Sequence, residues 1–104
     1  MFQIDPSPKF WAQAAISVPG QKDPAMIDVQ YNHLDADELK VFQTQTIVEK
    51  EPIDALMEII NDWKGASEEF NKQSLAKVLK NYPASGRQFY DAYIKELLGV
   101  KTKN

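Results

Sequence analysis

The chain has 104 residues, 43% apolar and 26% charged, with six prolines, four glycines and no cysteine, which fits one domain with a single core and leaves no room for a second. Twelve basic residues, Arg87 the only arginine, stand against fifteen acidic ones, giving a net charge of −3 and a pI near 5.1, and so the electrostatic footprint of a nucleic-acid binder is missing. The lack of cysteine excludes a disulfide framework, thiolate-bound zinc and thiol catalysis.

Residues 1–9 hold two prolines and few packing side chains, and read as an extended lead-in from which Phe2 and Ile4 can still reach the core. From Phe10 to Val18 the even positions are Phe10, Ala12, Ala14, Ile16 and Val18, the period-two pattern of a half-buried strand. Pro19 to Pro24 gathers residues that preset turn dihedrals, and Ile27, Val29 and Tyr31 then alternate with Asp28, Gln30 and Asn32. Together these predict an antiparallel hairpin over 10–34, which needs a further layer to be stable.

That layer is helical. Asp35 with Glu38 approximates a capping box opening a helix over about 36–49. Pro52 fits the first turn of a second helix carrying Ile53, Leu56, Met57, Ile59, Ile60 and Trp63, which at 100° per residue cover an arc of about 160° and end at Gly65. Leu75, Val78, Leu79 and Tyr82 recur at helical spacing up to Pro83. A last helix over about 84–98 carries Phe89, Tyr90, Tyr93, Ile94, Leu97 and Leu98 across about 180° and ends at Gly99. The predicted fold is α+β: an N-terminal antiparallel β-hairpin packed on a bundle of about four α-helices, one domain over 1–104, with 99–104 a frayed tail.

Chemistry is sparse. The only histidine is His33, no serine sits in a nucleophile elbow, and glycines at 20, 65, 86 and 99 lie too far apart for a phosphate-cradling loop. His33, Asp35, Asp37 and Glu38 form the one cluster with metal-ligating side chains, but it lacks a calcium loop's glycine and terminal glutamate, and carboxylates there suit a helix N-terminus. Glu68 and Glu69, adjacent on the chain, imply no cleft. No catalytic residue, metal site or cofactor is expected, and the chain is not read as an enzyme.

Aromatic residues carry most of the information. Core candidates are Phe10, Ile16, Trp63, Phe70, Leu75, Leu79, Tyr82, Phe89, Tyr93 and Leu97. Two helices with such wide apolar arcs present more apolar surface than one small core covers, so Tyr90, Ile94 and Leu98, or Ile53, Leu56 and Ile59, are candidate partner-binding stripes. Self-association is an expected use of such stripes; nucleic acid and membrane are not expected partners. The opening Met1–Pro8 has no signal-peptide pattern and no segment approaches the ~20 apolar residues of a membrane span, which predicts a protein that stays in the cytoplasm where it is made.

Three pieces in order, the strand from Phe10 to the Val18-Pro19-Gly20 turn, Ile59 to Gly65 with Trp63 at its centre, and Tyr82-Pro83 followed by Phe89-Tyr90-Asp91-Ala92-Tyr93-Ile94-Lys95-Glu96-Leu97, resemble the tail assembly chaperones of long-tailed bacteriophages of the siphovirus type. The resemblance covers about residues 10–98, and it departs from the pattern at the small Ala12, Ala14 and Ala15, where larger β-branched residues are expected. It implies a cofactor-free protein of the infected cell's cytoplasm, absent from the mature virion. Its implied partners are the tape measure protein, which it keeps soluble, and the tail tube protein, whose subunits it helps recruit during tail morphogenesis. In such phages a programmed frameshift also yields a longer product. Two rival readings are a structural or adaptor protein of the virion or another complex, found in purified particles, and a DNA-binding regulator, disfavoured by the negative charge.

Overall fold

The computed structural model describes residues 1–99, so the tail expected over 99–104 falls, beyond Gly99, outside the described residues. Strands β1 (Lys9–Ile16) and β2 (Ala25–Asn32) pair antiparallel in unbroken register from Lys9 opposite Asn32 to Ile16 opposite Ala25. The alternation decides which face turns inward: Ala14 and Ile16 on β1 and Ile27, Val29 and Tyr31 on β2 are buried, while their neighbours Trp11, Met26 and Asp28 face out. The connecting turn uses Gly20 at φ 84°, a left-handed conformation that favours glycine.

Four helices follow. The first, α1, runs through Ala36–Val41, a π-helical turn at Phe42–Thr46, and Ile47–Glu49. The others are α2 (Pro52–Ile59), α3 (Lys72–Asn81) and α4 (Ser85–Leu98). Their ends follow local chemistry. The Asp35 carboxylate accepts the Glu38 N–H at 2.8 Å while the Glu38 carboxylate accepts the Asp35 N–H at 3.0 Å. Asn71 and Ser74 build the same reciprocal cap on α3, Pro52 opens α2, and Gly99 at φ 67° closes α4.

The sheet has a third strand that the helical reading of 52–63 misses. Helix α2 stops at Ile59, and β3 (Ile60–Lys64) pairs antiparallel with β2, giving the order β1-β2-β3. A bulge explains the misreading. Val29 faces Trp63 and Tyr31 faces Ile60, so three steps on β3 match two on β2. Ile60 and Trp63 therefore both point into the core from a strand, at the spacing of one helical turn.

The core lies between the inner face of the sheet and the helices, with α4 packed across β1. Of the core candidates, Ile16, Trp63, Leu75, Phe89 and Tyr93 are buried, and Phe10, Phe70, Leu79, Tyr82 and Leu97 are half-buried and packed against them. Trp63 is held on two sides: its Nε1–H donates to the Glu68 carbonyl at 2.8 Å, and Phe70 meets it edge-on at 5.1 Å. Tyr31 and Tyr93 join the sheet to α4. The Tyr31 hydroxyl donates to the Phe89 carbonyl and the Tyr93 hydroxyl to the Asn32 carbonyl, each at 2.8 Å, with ring centres 5.0 Å apart. Four ion pairs join described residues, each between side chains at least 44% exposed, so they add little stability.

Two outcomes are expected. Trp63→Ala costs about 3–5 kcal/mol, whereas Leu98→Ala, at a site 54% exposed, costs under about 0.5 kcal/mol, both measured by urea unfolding. Burial raises both phenols above the usual tyrosine range, with Tyr93 adding to the effect on Tyr31 and Glu38 to that on Tyr93. The unfolded chain then ionises at about pH 10 while the folded one does not, so the stability these groups supply is complete below that pH. Above it, each tyrosine removes about 1.4 kcal/mol per pH unit. Unfolding followed from pH 9 upward should show this fall, and Tyr31→Phe should flatten it; an unchanged slope would assign the fall to other groups.

Candidate functional site

The candidate site is a groove between the four helices. Phe42 and Ile47 from α1 and Pro52, Ala55 and Leu56 from α2 line one side; Leu79 from α3, Pro83 from the α3–α4 connection, and Gly86, Arg87 and Tyr90 from α4 line the other. It encloses about 560 Å³, and Arg87 is the one charged residue in its lining. Its walls are set by backbone geometry. Pro83 lies between the end of α3 at Asn81 and the start of α4 at Ser85, and Pro52 opens α2 after α1 has ended at Glu49.

The π-helical turn gives α1 its part. The Ile47 N–H donates to the Phe42 carbonyl five residues back, and the Thr44 hydroxyl takes the Lys40 carbonyl at 2.7 Å. Residues five apart diverge by about 140° on an α-helix, but a wider turn brings Phe42 and Ile47 to the same groove. Gln43, inside that turn, donates its Nε2–H to the Tyr90 hydroxyl at 3.0 Å, and the Phe42 and Tyr90 rings stack at 6.3 Å. Helix α1 is thereby tied to α4 while Val41, Ile47 and Val48 stay 49, 40 and 72% exposed. Exposed β-branched side chains on one helix gain nothing from the fold of this chain.

The residues of the two expected partner-binding stripes lie at different depths in the fold. Ile59 is fully buried and Leu56 is 4% exposed, because α2 lies between the sheet and helices α3 and α4 rather than on the surface; Ile53 is half-buried. Within the other stripe, Tyr90 is half-buried in the groove wall, Ile94 packs against the core, and Leu98 stands exposed and away from the groove lining. Leu56 and Tyr90 are thus the two of the six that line the groove. Phe42, Ile47 and Pro83 join them without having been singled out, and Leu79, a core candidate, forms part of the wall.

The groove offers shape and apolar surface. Elsewhere, Asp35 and Glu38 spend their carboxylates on the cap of α1, and Glu68 pairs with Lys77 at 2.9 Å. No group of three or more metal-ligating side chains comes together among the described residues, and no helix among them is long and apolar enough to cross a membrane.

Wall residues should separate by burial. Leu56→Ala is expected to cost about 2–4 kcal/mol because it opens a cavity beneath the groove, while Ile47→Ser, at a side chain already 40% exposed, costs under about 1 kcal/mol. Urea unfolding of the two variants measures the difference; equal large losses would make Ile47 part of the core.

Comparison with curated proteins and with solved structures finds no match. A family model described as phage tail assembly chaperone matches residues 1–104, the whole chain, in agreement with the resemblance carried by Phe10 to Gly20, Ile59 to Gly65, and Tyr82-Pro83 with Phe89 to Leu97. Its role is a chaperone's, in tail assembly and with protein partners, and the family points to work done by binding rather than catalysis. The chain belongs to the phage tail assembly chaperones.

Proposed function

We propose that the groove between the four helices holds apolar helical stretches of the tape measure protein, keeping that protein soluble until tail tube subunits enclose it. One observation carries the reading: in a tail assembly chaperone, a concavity of about 560 Å³ is walled by Phe42, Ile47, Leu56, Leu79 and Tyr90 and holds a single charge. An amphipathic helix laid into such a groove exchanges water for apolar contact and asks little of sequence beyond apolar residues at helical spacing. A chaperone must also let go. Weak sites repeated along a long client gain occupancy through multivalency, and each is displaced separately as tube subunits polymerise. The protein works in the cytoplasm of the infected cell and leaves before the particle is complete.

Co-expression tests the reading. Alone, the tape measure protein should be insoluble; with the wild-type chain it should be soluble and co-purify; with Leu79→Asp, checked for an intact fold by circular dichroism, co-purification should fall by about tenfold or more. A client that stays insoluble with the wild-type chain, or is equally soluble with the variant, would falsify it. Recovery of the chain in purified virions would favour a structural component instead.

A further inference from the structure

Residues 1–8 carry large apolar side chains that nothing covers: Met1, Phe2 and Ile4 are fully or almost fully exposed, Phe2 at 86% and Ile4 at 85%. The segment is a fixed projection at its base. The Pro8 carbonyl accepts the His33 N–H at 2.9 Å, Lys9 begins β1, and Pro6 and Pro8 limit how the chain can bend before it. The chain bends at Ile4 and Asp5, and the Phe2 and Ile4 side chains both stand clear of the fold. Asp5 is the one charged side chain within 1–8, and the Met1 ammonium adds a positive charge to the same segment.

The groove has the matching layout. Its walls are apolar and its one charged lining residue is Arg87, of opposite sign to Asp5. Arg87 pairs with Asp91 through Nε at 2.9 Å, and a guanidinium has further N–H donors to offer a second carboxylate. Within one chain the segment does not enter the groove, since Phe2 and Ile4 remain exposed.

We propose that residues 1–5 of one copy seat in the groove of a second copy, with Phe2 and Ile4 against Phe42, Leu56 and Leu79 and the Asp5 carboxylate on the Arg87 guanidinium. Segment and groove are different patches, so each copy donates one and accepts one, and copies add head to tail as concentration rises. The groove is then covered in the absence of a client, and a client has to displace the neighbour's segment. Like the function proposed above, this inference rests on the groove being a docking surface, but it names a different occupant.

The cysteine-free chain allows a direct test. Phe2→Cys and Ile47→Cys chains, both altered at exposed positions, are mixed under mild oxidation. A disulfide between the two chains, in excess over either chain with itself, is expected, together with a mass by light scattering that rises with concentration. Phe2→Ser should weaken that self-association about tenfold, and Asp5→Lys should weaken it at low salt. No Phe2→Cys to Ile47→Cys product, or one formed only within a single doubly substituted chain, overturns the proposal. The two readings fail separately: a cross-link without client solubilisation leaves this one standing and removes the tape measure reading, and solubilisation without a cross-link does the reverse.

Discussion

Two buried hydroxyls hold the layers of this protein together. Tyr31 reaches from the middle strand to the Phe89 carbonyl, and Tyr93 reaches back from α4 to the Asn32 carbonyl, so sheet and helix each supply a donor and an acceptor to the other. Removing either phenol's oxygen loses one hydrogen bond between the layers, at a cost of about 0.5–1.5 kcal/mol. The rings supply more than the hydroxyls do. Phe10 stacks on Tyr93 at 5.9 Å and Phe42 meets Tyr93 edge-on at 6.4 Å, which brings β1, β2, α1 and α4 to one point. A three-stranded sheet with one wet face has little stability of its own, and this junction is what commits its dry face to α4.

The same junction accounts for the small residues on β1. Ala12 and Ala14 stand where bulkier β-branched residues are expected of a strand, yet Ala14 is fully buried. Helix α4 lies across β1 and brings Phe89 and Tyr93, both fully buried, to fill the space from the helix side. A valine at position 14 would compete with those rings for volume. The end of the strand is also fixed to α4, since the Ser17 N–H donates to the Gln88 side-chain carbonyl and the Gln88 amide donates to the Ser17 hydroxyl.

Much of this was legible in the residue order, and the failures have physical causes. Alternation gave the hairpin its inward face, and Asp35 with Glu38, Pro52, Pro83 and Gly99 marked helix ends through interactions that are local in sequence. Strand β3 was hidden because the bulge at Asn61 spaces its inward residues by three, which imitates a helix continuing from α2. The groove was hidden for a related reason. Phe42 and Ile47 share a surface only through a π-helical turn, and the hydrogen bond from Gln43 to Tyr90 that holds this turn against α4 joins residues 47 apart in sequence. Periodicity assigns a residue to a face of its own element; it says nothing of which element covers that face, and so the 53–56–59 stripe, apolar as expected, was placed outside when α2 is inside.

That distinction bears on how a small chaperone keeps a sticky surface without unfolding. The side chains that line the groove fall into two kinds: Leu56, Ala55 and Phe42 are buried and belong to the core, while Ile47 is exposed on α1. A floor shared with the core cannot collapse without costing stability, because closing the groove would mean repacking residues that already touch the sheet layer. The rim is different. Helix α1 is pinned near its middle by Phe42 and Gln43, and its exposed Val41, Ile47 and Val48 make few demands on the fold. Exposed apolar surface and folding core are thus separated by depth within one groove, so the rim can change while the floor, and with it the contact between α2, α3 and α4, stays fixed.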